Sequence, residues 1–159
     1  MSLNDNINLF NSEKESDLIF MIGIGYEQNN KWQYKVFYCE QLNKTNENTL
    51  MTNFTEFITN KVQEMDPNNI HNIKFYHWGH AEVTNFIHVN NRHNNIWSNW
   101  YNNISWIDMY DKFISYPIVI KGALDFKLKS IGKAFYNNKL IKTCWNEDGP
   151  TDGFSAMIG

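Results

Sequence analysis

The sequence predicts a mixed α/β domain, and three observations carry that expectation. Strand-like and helix-like periods alternate after an opening hairpin signal. The chain has 159 residues, 42% of them hydrophobic and 16% aromatic. That is enough apolar side chain to fill one domain core without a disulfide or metal staple. No internal repeat or linker interrupts the pattern, so one domain over residues 17–159 is expected, after a flexible polar lead-in over 1–16. The expected architecture is a mixed sheet with helices on its faces.

Leu18 to Tyr26 is a continuous apolar run containing two glycines. Its length and β-branched content predict a strand buried on both faces. A polar turn over Gln28 to Lys31 follows, then Trp32 to Tyr38, which alternates as a half-buried strand does. The two strands make an antiparallel hairpin. Leu50, Phe54, Phe57, Ile58 and Val62 recur at spacings of three and four, which predicts a helix capped by Thr45 or Asn46 and ended at Asp66-Pro67. Ile73 to Trp78 reads as a third strand. Gly79 then turns the chain, and a short helix starts near His80-Ala81-Glu82. Residues 88–103 read as a loop or irregular helix. Trp106 to Tyr110 reads as a strand end entering a helix, Ile118 to Ile120 as a short apolar segment, and residues 125–136 as a helix. Residues 146–153 form a turn in which Asp152 caps a terminal helix.

Composition excludes several classes of function. The net charge of −3 gives no overall attraction to nucleic acid, so any such binding is local or metal-assisted. Cys39 and Cys144 each stand alone in apolar or aromatic surroundings, which reads as two buried free thiols in a reducing compartment. The N-terminus lacks a basic segment followed by a long apolar run. No signal peptide is expected, and the localisation expected is intracellular, without a membrane partner. The asparagine doublets read as compositional bias. His77, His80, His88 and His93 match no closed zinc pattern. Gly23-Ile24-Gly25 lacks the third glycine of a dinucleotide loop, and no phosphate-binding Walker loop or serine elbow is present.

Two acids stand out. Glu82 follows a strand and a glycine turn, where it reads either as a cleft carboxylate beyond the strand end, with His77 and His80 nearby, or as a first-turn acid complementing a helix dipole. Asp108, among Trp106, Ile107, Met109 and Tyr110, reads as an exposed acid on an amphipathic element, a cap, or a carboxylate held for a metal.

The segments "LIFMIGIGY", "WQYKVFYCE", "FYHWGHAE", "WIDMYDKF", "PIVIKGALDFKLKSIGKAFY" and "DGPTDGFSAM", in that order, resemble the YprB-type RNase H-like exonuclease domain, with a DEDD-like core, as found in large DNA viruses. The resemblance implies an RNase H-like mixed sheet with helices on both faces. It also implies 3′–5′ exonuclease-type hydrolysis of DNA or RNA by two Mg²⁺ or Mn²⁺ ions held on carboxylates. Glu82 matches the family's second acidic motif and would ligate metal. Asp108 matches an acid close to the site, in a supporting role. Asp152-Gly153 matches a turn at the rim. The family's first Asp-x-Glu strand and last Asp have no counterpart here, so the domain reads as incomplete. The chain is then expected to be inactive alone, completed by the remaining nuclease segments of a longer protein. The alternative is a non-catalytic nucleic-acid or protein-binding module on a degenerate nuclease fold. In that reading Ile96 to Tyr101 either stacks bases or simply packs in the core.

Overall fold

A computed structural model of the chain describes residues 18–68 and 73–144. The polar lead-in and the turn around Asp152, with the helix expected after it, lie outside these residues. The element order is β1 (Met21–Gln28), β2 (Lys31–Tyr38), α1 (Lys44–Met65), β3 (Ile73–His77), α2 (Ala81–Arg92), α3 (Ser98–Asn102), β4 (Ile104–Asp108), α4 (Met109–Ser115) and α5 (Leu128–Asn137). The fold is mixed α/β. Its strands pair as two separate ladders, an antiparallel β1–β2 hairpin and a parallel β3–β4 pair. Among the described residues no ladder joins these into the single mixed sheet expected from the sequence. The hairpin instead seals its inner face on α1. The described chain divides into two compact units, one of residues 18–68, 73–75 and 83–105, the other of 76–82 and 106–144.

The first unit is built on the hairpin and α1. Gln28 pairs with Lys31 across a two-residue loop, and Asn29 and Asn30 have φ of 54° and 59°. Two successive left-handed residues make the turn whose twist matches that of paired strands, and Asn tolerates this region better than most side chains. Residues on β1 alternate between exposed and half-buried. The expectation that this strand is buried on both faces is corrected, because Gly23 and Gly25 bring no side chain to the outer face. On the inner face Tyr26 meets Phe57 edge-on at 5.9 Å, and Phe37 meets Phe54 and Phe57 at 5.6 and 5.5 Å.

Helix α1 buries Glu47, Leu50, Met51, Phe54, Thr55 and Ile58, a single stripe at the helical period. Asn43 caps it, its side chain accepting from the Asn46 N–H at 2.8 Å, so the helix starts earlier than a Thr45 or Asn46 cap would allow. Phe54, Phe75 and Trp100 form a mutual ring cluster, and Phe86 stacks on Trp100 and Tyr101 at 5.5 and 5.1 Å. Trp97 is buried as well. The rings of residues 97–101 therefore serve this core.

Helix α2 is longer than expected and runs through Arg92. The chain after it turns through Asn94 and Asn95, with φ of 58° and 60°. Buried Asn90 fastens that turn. Its amide donates to Ser98 Oγ at 2.9 Å, and its Oδ1 accepts from the Trp97 N–H at 2.9 Å.

In the second unit Trp78 packs on Phe113 at 5.0 Å and donates its indole N–H to the Phe126 carbonyl at 3.0 Å. Phe113 in turn meets Phe135, while Ile131 and Ala134 of α5 are buried. Helix α5 begins three residues after the position expected. Asp125 Oδ1 accepts the Lys127 N–H at 3.0 Å, which closes a turn there instead of a helical first residue. Cys39 is partly exposed and Cys144 exposed, both as free thiols, which corrects the expectation that both are buried. Among the described residues no helix is long and apolar enough to cross a membrane.

Candidate metal centre

Parallel strands present ligands beyond their carboxyl ends, where the chain leaves the sheet. Strands β3 and β4 end at His77 and Asp108, and both ends belong to the second unit. Gly79 has a φ of +83°, a turn that only glycine makes without strain. The turn aims the Gly79 N–H at Asp108 Oδ1, 2.9 Å away, while the Gly79 carbonyl accepts from His77 Nδ1 at 2.7 Å. Asp108 also caps α4, its Oδ1 accepting the Tyr110 N–H at 2.9 Å. One oxygen of this carboxylate thus fixes two backbone segments.

The other oxygen is different. Among the described residues no well-formed hydrogen bond reaches the buried Oδ2 of Asp108. The nearest cation-forming atom is His80 Nδ1, at 3.7 Å. A buried carboxylate oxygen without a well-formed hydrogen bond costs about 1–3 kcal/mol, so it marks a place where something else is normally supplied. His80, Asp108 and Asp111 each offer one ligand atom, and these atoms all lie within 4.8 Å of one another. His80 and Asp111 are exposed, and Asp108 is half-buried behind them. Burial alone would push the Asp108 carboxyl up. The backbone N–H groups of Gly79, Tyr110 and Asp111, together with the nearby His77 ring, outweigh it and hold the carboxyl below its usual range. The side chain is therefore a carboxylate at neutral pH, as a metal ligand must be.

Glu82, the ligand expected from the sequence, lies in the first turn of α2 with its side chain 54% exposed. Its Oε2 is 4.0 Å from Nδ1 of His77, whose side chain is buried. It is not a member of the group formed by His80, Asp108 and Asp111. Asp108, expected in a supporting role, is the centre of the group, and Asp111 and His80 join it. Asp111 was legible as the acid one helical step beyond Asp108 in "WIDMYDKF". Nothing in the spacing links His80 to Asp108, because only the β3–β4 pairing brings them together.

A second charged cluster, in the first unit, escaped the sequence reading. Glu47 is completely buried. Its carboxylate accepts the Ile19 N–H at 2.7 Å, Arg92 Nε and a terminal guanidinium nitrogen at 2.9 and 3.2 Å, and His93 Nε2 at 2.9 Å. Every oxygen lone pair facing the core is thus engaged by a donor, and Arg92 binds in its two-pronged geometry. Glu47 sits in the first turn of α1 and Arg92 in the last turn of α2, so each charge also meets the helix end that favours its sign. Centred on a carboxylate with no solvent access, this cluster ties the entry to β1 to two helices. No family model, curated protein or solved structure matches this chain.

Proposed function

We propose that this chain is the core of an RNase H-like nuclease domain, that a divalent cation binds at His80, Asp108 and Asp111, and that its target is a nucleic-acid phosphodiester. The observation carrying the reading is the buried Oδ2 of Asp108, reached by no well-formed hydrogen bond among the described residues, beside an imidazole nitrogen and a second carboxylate. This donor set fits a cation, and its mixture of one imidazole and two carboxylates suits Mn²⁺ better than Mg²⁺. When bound, such an ion neutralises and polarises a phosphate oxygen. The protein's own residues do the rest. Two backbone N–H groups on Oδ1 lock the Asp108 carboxylate, so Oδ2 needs no reorientation to receive a cation. The His80 and Asp111 carboxylate and imidazole groups face solvent, where a polyanion can approach. Glu82, 4.0 Å from His77, adds a further exposed carboxylate in the first turn of α2. Two carboxylates and an imidazole support one cation, whereas phosphodiester cleavage by the two-ion route needs further carboxylates. The chain alone therefore binds cation and nucleic acid without cleaving it.

Manganese titration followed by the electron paramagnetic resonance of the free ion tests this directly. One saturable site is expected, weakened at least ~10-fold by Asp111→Asn or His80→Ala, exposed positions where the fold is not at risk. Binding of labelled single-stranded DNA and RNA should rise with Mn²⁺ and lose that rise in the same variants. No saturable site, or one indifferent to both substitutions, overturns the proposal.

A further inference from the structure

We infer that the outer face of the β1–β2 hairpin is a self-association surface, and that its occupant is the same face of a second copy of this chain. The inner face is covered by α1, but the outer face has no partner among the described residues. Along β2 the outward row is Trp32, Tyr34, Val36 and Tyr38, exposed by 62%, 74%, 51% and 69%. These are residues that water penalises, set on consecutive outward positions of one strand.

Between Met21 and Glu27 the neighbouring row on β1 has the opposite shape. Gly23 stands opposite Val36 and Gly25 opposite Tyr34. A side chain built at Gly23 would meet nothing within 4 Å, so that part of the row is an open trough. At Gly25 the Tyr34 ring leans partly over the trough, 3.4 Å from the same construction. One face thus carries a ridge and a trough side by side. A two-fold axis running along the strands, midway between two facing sheets, lays the ridge of each copy over the trough of the other. It does so at the same height along the strands, Val36 above the partner's Gly23. Such self-complementarity is what a closed symmetric pair requires. Sheets facing each other in this way pack about 10 Å apart, the depth of one interdigitated side-chain layer.

The area is sufficient. With roughly 200 Å² on each large residue, the exposed fractions of Trp32, Tyr34, Val36 and Tyr38 and of Met21, 53% exposed opposite Tyr38, leave about 600 Å² on the face, and a pair that hides all of it buries about 1,200 Å². That reaches the lower bound of stable specific interfaces. Charge argues against nucleic acid as the occupant, because the face's one charged residue is Glu27, opposite Trp32 at the turn end.

Sedimentation velocity on the full chain, over roughly 1–200 μM, tests the inference. The expected species at the upper end has about twice the 18.9 kDa chain mass. Tyr34→Lys should weaken association at least ~10-fold. Gly23→Val is the sharper variant. Its Cβ fills part of the trough with nothing within 4 Å of it and it adds a strand-favouring residue, so the hairpin should hold or gain thermal stability while the pair dissociates. A monomer throughout the range overturns the inference. So does an association unchanged by Gly23→Val, or a face that proves to be taken by a single-stranded oligonucleotide or by residues 1–17 of the same chain.

Discussion

Removing the Glu47 carboxylate should be the most damaging single change in the first unit. In Glu47→Ala, Arg92 and the Ile19 N–H lose the acceptor that the Glu47 carboxylate provides. Arg92 has a side chain only 8% exposed, so water cannot replace what is lost without opening the core. Breaking a buried ion pair from one side costs about 3–5 kcal/mol, because the surviving charge loses a desolvated counter-charge. A domain of this size is stable by about 5–15 kcal/mol, so the loss is a large fraction of the total. At about 2–4 °C per kcal/mol the midpoint of thermal unfolding should fall by roughly 6–20 °C. Urea unfolding measures the free energy, and a double-mutant cycle with Arg92→Met isolates the pair. The double variant should be less destabilised than the sum of the two single ones, since neither charge is then stranded. A Glu47→Ala loss below about 1 kcal/mol, or strict additivity in the cycle, would refute the claim that this carboxylate holds β1, α1 and α2 together.

Other expectations concern the turn and the strand ends. Asp108 has its carboxyl lowered by the fold, so its contribution is complete above the unfolded value near pH 4 and disappears as acid takes the pH through the folded value. Asp108→Ala should therefore cost about 1–3 kcal/mol at pH 7, with the gap closing in acid; a gap unchanged at low pH contradicts the assignment. In the hairpin, Asn30→Gly should hold the melting temperature or raise it by about 1–2 °C, whereas Asn30→Val should lower it by several degrees, since β-branched residues resist a positive φ. Equal melting temperatures for the two variants would argue against the left-handed turn.

The hairpin, α1 and β3 were legible in the sequence because each carries its own period. The outer face of β1 was misread because glycines inside an apolar run count as apolar without having anything to bury. Asp108 was legible as an acid at a strand end, but its companion His80 was not. His80 lies 28 positions away in the chain, and only the strand pairing brings the two together. Glu47 did leave a signal. It falls on the same helical stripe as Leu50, Met51 and Phe54, and an acid on an apolar stripe implies a buried partner. The partner's identity, Arg92 with His93, has no local signature. The asparagine doublets were read as composition alone, yet two of them, Asn29-Asn30 and Asn94-Asn95, occupy turn positions that most side chains avoid.

Cys39 shares its surroundings with the buried Glu47. Its Sγ lies 3.7 Å from the Ile19 carbonyl, and burial together with the negative charge of Glu47 pushes the thiol up from its ordinary value. Sulfur chemistry proceeds through the thiolate, so this position is slow towards alkylating and oxidising reagents. Maleimide dyes and spin labels should consequently choose the exposed Cys144 first, giving a reporter handle without prior mutagenesis. Accelerated labelling at Cys39 would then signal that the carboxylate beside it has been neutralised or its enclosure loosened.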